Sequence, residues 1–196
     1  MGLRKMQQKI LFYNSVFPLV YQVVATICGF ILPRLILGHF GTEVNGLVNS
    51  IIQFLGVISL LELGVGAVVQ SSLYKPLADN DVINVSKVVA SADKFFRNLG
   101  YILLIYVIAM VFYYPILVKQ NFDFFFTASL IVAISIRFFA QYFFGIVNRL
   151  ILLADQKAYI QFIAQIIAIT ANTVGCYILI KFDCSVQAVY GMTSII

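Results

Sequence analysis

Long apolar runs alternate with short polar interruptions along this chain. The runs predict membrane-crossing helices at about residues 10–37, 47–73, 99–118, 124–148 and 159–180, and the start of a sixth at 186–196. The first five reach the roughly 20 residues a helix needs to cross a hydrocarbon core of about 30 Å. The sixth run stops too early to cross, so the chain is expected to be part of a longer protein. Pro18 and Pro33 lie inside the first run and are expected to bend it. Most interruptions read as turns: GHFGTEVNG at 38–46, then 119–123, 149–158 and 181–185. The longest, 74–98, differs. Asn80 or Asp81 is placed to cap a helix, and Val82, Val85, Val89, Ala92 and Phe96 follow at helical spacing. That spacing predicts an amphipathic connector helix over 80–97, lying on the membrane surface and leading into the next span.

Composition narrows the class. The chain has 196 residues, 62% of them hydrophobic and only 11% charged, with a mean hydropathy of +0.98. These values exclude a soluble domain and predict an all-α, polytopic membrane protein with five complete spans and the start of a sixth. A β-barrel would show alternating segments of about ten residues, not continuous apolar runs. The net charge of +5 does not point to nucleic acid, because no basic patch with stacking aromatics occurs in a polar segment. Its distribution sets topology instead. With a cytoplasmic N-terminus, nine basic residues fall inside (Lys75, Lys87, Arg97 and Arg149 among them), against Lys119 and Lys181 outside. Arg4, Lys5 and Lys9 followed by an apolar run imitate a signal peptide, but the run is too long and lacks a small-residue cleavage site, so it reads as a retained span. Cys28, Cys176 and Cys184 are unevenly spaced and read as small buried hydrophobes rather than a disulfide or metal site.

Charges at membrane depth are costly and mark functional interiors. Arg34, Glu62 and Arg137 lie inside apolar runs. Gly64 and Gly66 follow Glu62, which suits either close helix packing or a thin-walled cavity. In a straight helix, positions i, i+4 and i+11 share one face. Arg137, Gln141 and Asn148 have that spacing, and Gln161, Gln165 and Asn172 repeat it one span later. The two polar stripes are expected to line one hydrated cavity; hydrogen bonding that merely holds the bundle together is the alternative. Counting depth along the spans places Glu62 about 22 Å and Arg137 about 20 Å from the outer surface, so these two are expected to pair, with Arg34 about 17 Å too high to join them. No enzyme signature occurs. The one histidine, His39, lies in a turn, and there is no phosphate loop, metal-spaced cluster or nucleophile triad. Neither a catalytic residue nor a cofactor is expected.

One stretch carries a resemblance. Residues 31–66, ILPRLILGHFGTEVNGLVNSIIQFLGVISLLELGVG, and the following SSLYKPLADND…KVVASADKFFR resemble the start of bacterial polysaccharide flippases of the multidrug/oligosaccharidyl-lipid/polysaccharide exporter superfamily. The resemblance implies alternating-access export of a lipid-linked sugar unit, typically on undecaprenyl diphosphate, for cell-surface polysaccharide synthesis. It implies a cytoplasmic-membrane location, a two-lobed protein of which this chain is the N-terminal lobe, and a C-terminal lobe as partner. Arg34, Glu62 and Arg137 match the first-span arginine, the acidic residue before the glycines and a cavity arginine. Partners implied are the lipid-linked sugar, membrane lipid and a coupling cation, with no nucleic acid. Two other classes stay open: a cation-coupled multidrug exporter of the same superfamily, which would place acids in its cavity, and a membrane-embedded transferase, which would need a catalytic acid or histidine cluster.

Overall fold

The computed structural model describes residues 2–62, 64–118, 122–182 and 185–195. Every regular element among them is helical: α1 Gly2–Gly56, a 3₁₀ segment Val57–Glu62, α2 Val65–Ala78, α3 Val82–Leu117, α4 Phe124–Ala140, a π turn Gln141–Gly145, α5 Ile146–Ala154, α6 Ala158–Lys181 and α7 Val186–Ile195. Four stretches are long and apolar enough to cross a membrane: Lys9–Leu60, Val82–Leu117, Phe124–Ala154 and Ala158–Lys181. The chain is therefore a multi-pass helical membrane protein. Cys184 and Lys119 lie outside the described residues.

Helical backbone persists through Pro18 and Pro33, and the expected turn at 38–46 shrinks to one residue. Gly41 alone breaks α1, at φ 82° and ψ 174°, a region open essentially to glycine. The chain turns back there. Ile10 and Leu11 line the same cavity as Leu77 and Ala78, of about 730 Å³. A straight helix from Leu11 to Phe54 would measure about 65 Å, while the helical chain from Phe54 to Leu77 returns less than about 40 Å. Only a reversal at Gly41 reconciles the two. Ile36 on one side of it and Leu47 and Val48 on the other are all buried in one core.

The expected span 47–73 is also not one helix. After Gly56 the chain tightens into the 3₁₀ segment, with the Ser59 hydroxyl donating to the Gly56 carbonyl. Gly64, at φ 85°, then takes a left-handed turn before α2 begins. By contrast, α3 fuses the expected connector with the next span. The Asp81 carboxylate accepts from the Asn84 backbone N–H (3.1 Å) and from its side-chain amide (2.6 Å), capping a helix of 36 residues. An uninterrupted helix has one axis, so 82–97 continues along the span instead of turning to lie on the surface. An Asp93–Arg97 ion pair (2.7 Å) braces its polar side.

Apart from Ile36, the core is built from the chain after Gly41. Ile51 and Leu55 of α1, Leu103 of α3, and Leu130 and Ile131 of α4 are fully buried together. In a membrane such contacts stabilise by close packing rather than by escape from water. The Tyr106 hydroxyl donates to the Phe54 carbonyl (3.0 Å), joining α3 to the last turn of α1. Residues before Gly41 are held differently. They pack chiefly on α6 through Tyr13–Tyr159 and Tyr21–Phe162 ring contacts, with Leu19, Val23, Ile27 and Phe30 exposed. One polar clamp fixes them: Asn14 donates to the Gln156 carbonyl (2.6 Å) and accepts from the Tyr159 N–H (3.0 Å). Asn14 thus caps α6 from another helix, satisfying an amide that has no partner within α6.

Candidate functional site: the pocket at Glu62

Glu62 ends the 3₁₀ segment, where the helix is interrupted and the Gly64 turn re-aims the chain. Glu62 lines a pocket of about 300 Å³. Gln70 of α2, Phe96 of α3, Gln141 of the π turn and Arg149 and Leu150 of α5 complete the wall, with Gly66 and Ala67 leaving the space open. Glu62 faces the Tyr142 hydroxyl, while its Oε2 is buried with no hydrogen-bond partner. A buried acceptor left unmade costs on the order of 1–3 kcal/mol, more when charged. The pocket therefore holds one basic side chain, two amides and an under-satisfied carboxylate in an apolar surround. It can hold a ligand carrying both polar or charged atoms and an apolar part.

The expected stripe of Arg137, Gln141 and Asn148 is not formed. The π turn closes with the Ile146 N–H on the Gln141 carbonyl, an i→i+5 bond, and so inserts one residue into the helix. One extra residue rotates everything beyond it by about 100°. Gln141 stays on the pocket, but the face passes from Asn148 to Arg149. Asn148 sits on the opposite side, in a separate cavity of about 290 Å³ with Ser86 and Asp93, and its amide donates to the Phe144 carbonyl (2.9 Å). Arg137 is exposed, its guanidinium carbon 5.2 Å from the centre of the Phe138 ring. No ion pair joins Arg137 to Glu62 among the described residues, so the pairing expected from matched depth is corrected. Depth along two helices says nothing of azimuth, and the helix is interrupted at Glu62.

Arg34 is exposed on α1. Gln161, Gln165 and Asn172 do share a face, because α6 has no break. They do not line the Glu62 pocket. Gln161 Oε1 is buried without a partner, and Asn172 accepts from the buried Cys176 thiol (3.4 Å). His39 packs edge-on against Phe40, 4.6 Å between ring centres. Sequence reasoning missed Arg149, Gln70 and Tyr142. Arg149 was assigned to a polar connection, yet the helix continues to Ala154. Ile146, Leu150 and Ala154, buried at i, i+4 and i+8, are the signal that could have extended it.

Comparison with protein-family models, curated proteins and solved structures yields no match for this chain. The functional reading rests on the residues.

Proposed function

We propose that the chain is the N-terminal lobe of a flippase that exports lipid-linked oligosaccharide, carried on undecaprenyl diphosphate, across the cytoplasmic membrane by alternating access. The observation that carries this reading is the break in α-helix inside an apolar segment, a 3₁₀ segment at Val57–Glu62 and a left-handed Gly64, beside a pocket with one basic side chain in its wall. Irregular backbone at membrane depth is tolerated where it lines a cavity, and transporters build binding sites from such discontinuous helices. The resemblance of residues 31–66 to polysaccharide flippases supplies the substrate class. In this reading the reversal at Gly41 makes Lys9–Leu60 and α2 two passes, giving five crossings with the N-terminus inside. Arg149 is then the group that meets a diphosphate, and Gln70 and Gln141 add neutral donors. Two lobes rock about a shared site, so the 196-residue chain alone is not expected to transport.

Native mass spectrometry of the purified chain tests the substrate class. A short polyprenyl diphosphate should be retained over the corresponding alcohol, and Arg149→Gln should weaken its retention about tenfold, the loss of one charge-assisted contact. Equal retention of diphosphate and alcohol ends the proposal. The unpartnered Glu62 oxygen favours a second reading, a cation-coupled drug exporter. There Glu62→Gln, not Arg149→Gln, abolishes binding of a lipophilic cation such as tetraphenylphosphonium. Orientation is checked separately: Asp123→Cys should react with an impermeant maleimide added outside, and Asn80→Cys should not.

A further inference from the structure

We propose that the π turn at Gln141–Gly145 is a register switch, able to move out of the helix, carry Arg149 to the place of Leu150 in the wall of the Glu62 pocket and bring Asn148 into the place Arg149 leaves. Three observations carry it. First, the turn lies between two cavities on opposite sides of one helix: Gln141 and Arg149 face one, Phe144 and Asn148 the other, and Tyr142 lies between, facing Glu62 while lining the second cavity. Second, the turn is held by a notch rather than by extra hydrogen bonds. Phe143 fills the space beside Gly100 so closely that a Cβ there would sit 2.8 Å from its ring, and Tyr101 packs on the same ring edge-on at 5.7 Å. The backbone bonds around the turn are already shared, with the Gln141 N–H reaching the carbonyls of both Arg137 and Phe138. Ile146 would keep a carbonyl partner in either register, so annealing to α-helix costs little backbone bonding. Third, the shown register leaves Glu62 Oε2 unmade, and the other register changes which α5 side chains line its pocket.

If the extra residue moves to the C-terminal end of α5, every residue between takes the place of its successor. Arg149 then occupies the present site of Leu150, against Gly66, and Asn148 takes the place of Arg149. The residue is absorbed at the turn before α6, where Gln156 has φ 56° and its carbonyl is held by Asn14. Release of the Asn14 clamp therefore accompanies the switch.

Disulfide cross-linking of the full chain in membranes reads the register directly and needs no transport activity. Position 66 accepts a cysteine, because a Cβ there meets only Leu150, at 3.7 Å. In a background with Cys28, Cys176 and Cys184 changed to serine, the pair Gly66→Cys/Leu150→Cys reports the shown register and Gly66→Cys/Arg149→Cys the annealed one. Both pairs are expected to form. Deleting Phe144, which is exposed, removes the extra residue while leaving Leu150 in place, so the 66–149 product should vanish and the 66–150 product remain. Gly100→Ala expels Phe143 and should raise the 66–149 to 66–150 ratio about tenfold, the response to overpacking a filled site. Asn14→Ala should shift the ratio in the same direction. A 66–149 yield no higher in the parent than in the deletion chain overturns the proposal. If the deletion chain fails to fold, a ratio unmoved by Gly100→Ala overturns it equally.

Discussion

The polar stripe on α4–α5 and the one on α6 have the same sequence spacing and different fates. Gln161, Gln165 and Asn172 stay on one face because nothing interrupts α6 between Ala158 and Lys181. Arg137, Gln141 and Asn148 lie in three environments, and it is the π turn beginning at Gln141 that turns Asn148 away from Gln141. The interrupted stripe gives the pocket Gln141, and the regular one does not reach it. A polar face is therefore a property of backbone register as much as of spacing, and a single inserted residue decides which side chain reaches the site.

That contrast can be broken most severely by a deletion in the regular helix. Removing Ile167, which is exposed, should rotate the rest of α6 by about 100° and pull the buried Thr173, Gly175 and Cys176 from their packing. The expected loss is about 3–5 kcal/mol, seen as collapse of the thermal melt in detergent, whereas deletion of Phe144 at the π turn should be tolerated. Next in size is Gly100→Ala, which overpacks Phe143 and should cost about 1–3 kcal/mol in the same melt. Smaller and opposite in sign is Gln161→Leu. It removes a buried acceptor without a partner and should stabilise by up to about 1 kcal/mol without altering polyprenyl diphosphate retention. Arg137→Gln should be smallest, within about 0.5 kcal/mol, because the side chain is exposed and lies over the ring of the adjacent Phe138. An Arg137→Gln effect as large as that of Arg149→Gln on diphosphate retention would restore the straight-helix reading.

The Asp81 cap supplies a pH test outside the apolar segments. Hydrogen bonds from Asn84 hold its carboxyl below the usual 3.8. A depressed folded value means that the cap's contribution is present above the unfolded pKa and is lost as pH falls through the folded one. Helicity of the 82–97 segment should therefore fall in acid, and Asp81→Ala should remove that step.

What the sequence made legible follows from which forces act locally. Apolar runs made the all-helical, membrane-crossing character legible, since length and hydropathy are properties of single segments, but not the division of 10–37 and 47–73, which the structure draws as Lys9–Leu60 and α2. The cap at Asp81 and the bounds of α6, within a residue of those expected, were readable for the same reason. The irregular places were not. Gly41 and Gly64 reverse or re-aim the chain by left-handed backbone, and glycine also occurs at Gly29 and Gly46, within unbroken helix, so glycine alone does not announce a turn. The π turn depends on Phe143 meeting Gly100, a contact between residues 43 apart that no local pattern contains. Glu62 and Gln141, which line one pocket, stand out in the sequence as charge and amide in apolar surroundings. Arg149 was passed over because a basic residue beyond the assumed end of a span looks like an ordinary topology marker.

The Asn14 clamp also sets a timetable for synthesis. The bond from Asn14 to the Gln156 carbonyl joins residues 142 apart, and the aromatic partners Tyr159 and Phe162 lie further still along the chain. At roughly 5–20 residues per second, the first helix waits about 7–30 s after it leaves the ribosome before its own docking surface exists. During that interval its exposed Leu19, Val23, Ile27 and Phe30 have only lipid or the insertion machinery for company. A segment made 142 residues before its partner is thus secured late, and mutations at Asn14 should show their effect in membrane assembly yield before they show it in the melt of the finished protein.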